Sequence, residues 1–162
     1  AGESSWKKYS SLNKYSIGIE INNPGHQYGY KSFGLKQILS LKKLLKYLIK
    51  EYRINKKCIL GHSDIAPNRK KDPGEKFPWK KLAKSSLCYW HKLNIKNIKK
   101  YRKQELDLKQ KKNFLNNLYK IGYSKFSDKS LTIAFQRRFR QELVDGKIDK
   151  ECLIISKNLL KS

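Results

Sequence analysis

Ser16-Ile17-Gly18-Ile19-Glu20-Ile21-Asn22 alternates strictly between apolar and polar or small residues. A strand repeats its facing every two residues, so Ile17, Ile19 and Ile21 share one side while Gly18, Glu20 and Asn22 share the other. A glycine-containing loop follows, over residues 23–34. Beyond it Leu35, Ile38, Leu41, Leu45, Leu48, Ile49 and Tyr52 recur at spacings of three and four. That period predicts an amphipathic helix with its lysines on the exposed face. Cys58-Ile59-Leu60 is a short apolar run of strand type that ends at Gly61-His62, with Cys58 read as a small buried hydrophobe. Strand, helix and strand in succession predict an α/β domain, a mixed central sheet flanked by helices.

Further along, residues 63–78 carry three of the four prolines and few apolar side chains. They read as a long ordered loop, and residues 79–86 as a short helix. Residues 92–103 are Lys-rich with little apolar periodicity and read as a linker. Three helical patterns follow. The first runs through Leu108, Phe114, Leu115 and Leu118 to a turn at Gly122. The second runs through Leu131, Ala134, Phe135 and Phe139 to Val144-Asp145-Gly146, and the third covers about 149–160. The expected organisation is therefore a domain over 1–91, a linker over 92–104 and a small three-helix domain over 105–162.

Composition bounds the function. Thirty-eight Lys and Arg stand against 13 Asp and Glu, a formal charge of +25. Such a field draws in polyanions without naming one: nucleic acid, anionic lipid and anionic cell-wall polymer all qualify, and a biased residue supply would give the same excess. No recognised nucleic-acid motif accompanies the charge, and the aromatics do not cluster with the basic runs, so no specific nucleic-acid partner is expected. No apolar stretch is long enough to span a bilayer. The three cysteines, Cys58, Cys88 and Cys152, are far apart and odd in number, which indicates neither a disulfide framework nor a cysteine zinc site.

The chemistry concentrates in Gly61-His62-Ser63-Asp64-Ile65-Ala66-Pro67-Asn68-Arg69-Lys70-Lys71-Asp72-Pro73-Gly74. Imidazole and carboxylate are both zinc ligands, and a catalytic zinc takes three protein ligands and keeps a position for water. By spacing alone, His62 and Asp72 read either as a hydrogen-bonded loop pair or as two such ligands.

Three stretches, in order, resemble the type 2 family of zinc-dependent N-acetylmuramoyl-L-alanine amidases, and within it the bacterial branch that cleaves muramoyl and anhydro-muramoyl peptides. Ala1-Gly2-Glu3-Ser4-Ser5-Trp6 looks like the tail of the family's His-Ala-Gly-x-Ser-x-Trp motif. Residues 13–22 resemble its central strand. His62 to Trp79, ending Lys-Phe-Pro-Trp, resembles its metal-binding and closing loop. Downstream, Gly122-Tyr123, Ala134-Phe135-Gln136-Arg137-Arg138-Phe139-Arg140 and Val144-Asp145-Gly146-Lys147-Ile148-Asp149 resemble a three-helix peptidoglycan-binding module that some of these amidases carry.

The resemblance implies Zn2+ as cofactor, with His62 and Asp72 as ligands. It implies Glu20 as the carboxylate that handles the water proton, and Lys70 as the cation that stabilises charge on the amide oxygen. The family's third ligand, a histidine on an early strand, has no counterpart here, and neither His26 nor His91 stands at a matching position. The expectation is thus an amidase domain that is N-terminally incomplete and lacks its first strands. The implied reaction is hydrolysis of the amide between N-acetylmuramic acid, including its 1,6-anhydro form, and L-alanine of the stem peptide. A non-catalytic peptidoglycan-binding protein or an inactive fragment is the alternative. Peptidoglycan or muropeptides are the expected partners, the chain is expected to be a monomer, and the wall-binding module points to the periplasm or envelope.

Overall fold

Gln37 sets the start of the first long helix: its side chain accepts from the Gly34 amide at 2.9 Å, and α1 runs over Leu35–Glu51. The computed structural model describes residues 3–161, so Ala1 and Gly2 of the expected N-terminal motif lie outside the described residues. Ile38, Leu41 and Leu45 are the buried stripe of α1. They pack with Phe77, Trp79, Leu82, Leu87 and Cys88 into one apolar cluster. Leu35 and Tyr52, at the two ends of the predicted stripe, are exposed.

The expected mixed central sheet is not what the described residues form. Their one sheet is a two-stranded antiparallel hairpin of β1 (Ser5–Trp6) and β2 (Tyr9–Ser10), with Trp6 opposite Tyr9. Residues 16–22 belong to no strand or helix. Alternation dictates which side chains share a side; a ladder also needs a neighbouring strand to take the backbone N–H and C=O groups. The isoleucine face is used in part, since Ile19 and Ile21 pack against the α1 cluster and Ile17 is exposed. The second expected strand is also corrected. Lys56–Cys58 is a 3-10 turn capped by Asn55, which leaves the Cys58 thiol exposed instead of buried.

Two short helices follow, α2 (His62–Ile65) and α3 (Trp79–Lys84). Residues 92–104, expected as a linker, fold into helical turns: α4 (Ile95–Ile98) and a 3-10 turn over Lys99–Tyr101. Ile98 is buried there. Lys and Ile mixed at short range hide this from a periodicity reading, because one anchoring side chain makes no pattern. The three C-terminal helices are α5 (Leu108–Ile121), α6 (Asp128–Phe139) and α7 (Lys150–Leu160). Each begins on a residue that caps: Asp107 accepts from the Gln110 amide, Ser127 from Ser130 and Asp149 from Cys152.

Phe114, Leu118, Leu131, Phe135, Ile155 and Leu159 form the second apolar cluster, and Trp6 of the N-terminal hairpin belongs to it. Leu60 and Ile65, which flank His62, pack against the same cluster. The helical unit therefore lies directly against the loop that carries His62 and Asp72.

Candidate metal-binding loop

The loop begins where backbone and side chain approach too closely for anything but glycine. A Cβ on Gly61 would stand 2.6 Å from Pro73 Cδ and 3.2 Å from the Trp79 ring. The next residue, His62, opens α2. Asp64, three residues past Gly61, folds back so that its Oδ2 accepts from the Gly61 amide at 2.8 Å. The Ser63 amide donates to the Asp72 carbonyl at 2.9 Å, which ties the two ends of the loop together. His62 Nδ1 and Asp72 Oδ2 are brought into contact by this closure, with both side chains about half exposed.

The Asp72 end is held by aromatic and polar groups. Tyr30 Oη donates to the Pro73 carbonyl at 2.7 Å and accepts from the Lys76 amide at 2.8 Å. Burial pushes the Tyr30 phenol up to about 12, so it stays a donor at neutral pH. His26 stacks on Tyr30 with ring centroids 4.3 Å apart, and its Nε2 lies 3.1 Å from Glu75 Oε2. Burial alone would raise the Glu75 carboxyl, but backbone hydrogen bonding, His26 and Arg137 together carry it below its ordinary range.

Of the four residues singled out from sequence, the structure joins His62 to Asp72. Glu20 is exposed in the segment outside regular structure, and Lys70 is half-buried in the loop. Among the described residues neither side chain makes a hydrogen bond or ion pair. The two substitute histidines go elsewhere. His26 pairs with Glu75, as above. His91 is buried next to Trp90, its ring nitrogens outside hydrogen-bond geometry. Burial, against a weaker backbone contact at Phe139, brings it down to about 4.

One imidazole nitrogen and one carboxylate oxygen, already touching, are the donor types zinc takes. A catalytic zinc uses three protein ligands, and among the described residues no three His, Cys, Asp or Glu side chains converge. The described residues thus fit two ligand positions of a zinc site and do not complete it.

Sequence reading missed the residues that buttress the loop. Asp64, Tyr123 and Arg138 meet in one buried hydrogen-bonded group. Two signals for them were present. Gly61-x-x-Asp64 has the spacing of a residue that caps its own helix start. Arg138 follows Leu131, Ala134 and Phe135 at the seven-residue step of the apolar stripe, a charge where the helix faces inward.

With this geometry in view, the likeness to known proteins is extensive. The family profile described as N-acetylmuramoyl-L-alanine amidase matches residues 1–75. The N-acetylmuramoyl-L-alanine amidase AmiD of Escherichia coli is 34% identical over 175 residues, covering 99% of this chain and 62% of that protein. Its solved complex with the substrate anhydro-N-acetylmuramic acid-L-Ala-D-gamma-Glu-L-Lys superposes with a TM-score of 0.84 at 32% identity, over 99% of this chain and 66% of that one. The structure of AmpDh3 from Pseudomonas aeruginosa with anhydromuramic pentapeptide gives a TM-score of 0.81 at 31% identity, over 99% of this chain and 68% of that one. The chain belongs to the N-acetylmuramoyl-L-alanine amidase family. It spans just over three-fifths of the length of the curated E. coli relative.

Proposed function

We propose that this chain serves the hydrolysis of the amide between N-acetylmuramic acid and L-alanine, on 1,6-anhydro-muropeptides, with zinc held in part by His62 and Asp72. The observation that carries the reading is the closure of the 62–72 loop, which sets an imidazole nitrogen against a carboxylate oxygen at a half-exposed position. The relatives supply the substrate: two are solved with anhydro-muramoyl peptides bound.

His62 and Asp72 would hold the metal, with a third donor that the described residues do not provide. Bound there, zinc supplies Lewis acidity to the scissile carbonyl and to the attacking water. Glu20 would take the proton of that water and return it to the departing amine of L-alanine, so a C–O bond forms at the carbonyl carbon as the amide C–N bond breaks, and an N–H bond replaces an O–H bond. Lys70 places its ammonium against the oxygen that gains negative charge. The helical unit over 105–162 holds peptidoglycan, which places the activity at the cell envelope, and among the described residues no helix is long and apolar enough to cross a membrane.

The incomplete donor set favours a second reading, in which the chain binds peptidoglycan fragments without cleaving them. Incubation of the 162-residue chain with an anhydro-muramoyl tripeptide and added zinc separates the two. The amidase reading predicts release of a peptide with a free L-alanine amine, seen by mass spectrometry. Turnover should fall by about two orders of magnitude or more in Glu20→Gln, in which the proton-handling carboxylate is gone. Retention of uncleaved ligand on the protein, with no free peptide, identifies the binding reading.

A further inference from the structure

Two side chains of the helical unit, Arg138 and Tyr123, end on Asp64, two residues from His62. The Asp64 carboxylate is 1% exposed. Oδ2 accepts from the Gly61 amide at 2.8 Å and from Arg138 Nη1 at 2.7 Å, and Oδ1 accepts from Tyr123 Oη at 2.8 Å. Arg138 Nη2 donates in addition to the Ile59 carbonyl at 2.8 Å, and the guanidinium lies 4.1 Å from the Trp79 ring centroid. One arginine thus grips the backbone before His62 and the carboxylate after it, against the ring that walls the loop. Burial, and next the charge of Asp64, push the Tyr123 phenol well above its ordinary range, so it remains a donor.

Charged side chains are seldom fully buried without a partner, and here Arg138 and Asp64 are buried against each other. Asp64 belongs to the four-residue helix that His62 opens, and it fixes the amide of Gly61 on the other side of His62. Any rotation of its carboxylate therefore moves both flanks of the histidine. We propose that Arg138 and Tyr123 are positioning residues for His62, so that the C-terminal helical unit is a structural part of the metal-binding loop as well as a neighbour of it. This rests on reading His62 and Asp72 as metal ligands. Residues that orient a ligand without touching the metal commonly change affinity by about 10- to 100-fold when replaced.

The test uses the whole 162-residue chain in four variants: Arg138→Gln, Arg138→Lys, Tyr123→Phe and, as control, Arg102→Gln. Arg102 pairs with Glu151 at 2.7 Å inside the helical unit, so its loss perturbs that unit without touching Asp64. Amide hydrogen exchange at Gly61 and the imidazole signals of His62 are followed by NMR without metal. Zinc affinity is followed by competition with a coloured chelator. In Arg138→Gln and in Tyr123→Phe, the milder variant should the first not fold, exchange at Gly61 speeds up, the His62 signals move and zinc affinity falls about 10- to 100-fold. Arg138→Lys does not restore them, since one ammonium cannot reach both Asp64 and the Ile59 carbonyl. Arg102→Gln leaves the Gly61 and His62 readouts at their original values. Unchanged Gly61 and His62 signals in Tyr123→Phe, or equal changes in Arg102→Gln, overturn the proposal. Should the NMR changes occur while zinc binding is indifferent to His62 and Asp72, the positioning of His62 stands and the metal reading fails.

Discussion

The contact of His62 with Asp72 was within reach of the sequence because they stand ten positions apart, and local chain closure is enough to bring them together. Glu20 is separated from them by α1, and alternation along the chain says only which face it shares. The Asp64–Arg138 pair spans 74 residues, and only the misplaced charge on the apolar stripe hinted at it. His91 leaves a measurable trace at this scale. The unfolded chain takes up a proton at His91 near pH 6.5, the folded chain only near pH 4. Between those values acid favours the unfolded state, so stability is lost as pH falls from about 6.5 towards 4, by up to about 3 kcal/mol. Urea midpoints at pH 7 and pH 4.5 measure the loss. His91→Phe should flatten that part of the profile; an unaltered slope would show that another group carries it.

At the scale of elements, the three C-terminal helices were readable because their stop and start signals are local. Asp107, Ser127 and Asp149 cap the starts, and Gly122 ends α5 with φ +140. The sheet was not readable to the same degree, since the identity of a strand's neighbour is a long-range fact that residues 16–22 do not contain. Gly122 offers the sharper prediction. A Cβ there would sit 2.5 Å from the Trp6 ring in a backbone conformation that suits glycine, and Lys7 donates to its carbonyl at 2.7 Å. Gly122→Ala should cost about 1–3 kcal/mol from strain at that φ alone, with Trp6 displaced. Chemical denaturation followed by tryptophan fluorescence reads both effects. An alanine variant as stable as the parent would show that the hairpin is not seated on this turn.

The whole molecule departs furthest from the expectation of separable parts. The segment read as a linker is folded. Arg102 within it joins Glu151 and Glu142, and Trp6 from one end of the chain fills the core of the helices at the other. The Gln141 side chain donates to the Phe77 carbonyl at 2.7 Å, a further tie between the helical unit and the loop region. Such cross-links predict one cooperative transition. Far-UV circular dichroism, which reports mainly the helices, and tryptophan fluorescence should give coincident urea curves. Two resolved midpoints would mean that the helical unit and the loop unfold independently. The excess of positive charge acts at this scale too. It attracts polyanions of any kind, an attraction between exposed charges that salt screens over about 10 Å at 0.1 M.

The account stands most directly on zinc titrated into the metal-free chain by calorimetry, alone and in His62→Ala and Asp72→Ala. It predicts saturable binding of about one zinc, weaker than a complete three-ligand catalytic site holds it and abolished by either substitution. Zinc binding that survives both substitutions, or none in the parent chain, would contradict the assignment of the 62–72 loop as the metal end of an amidase site.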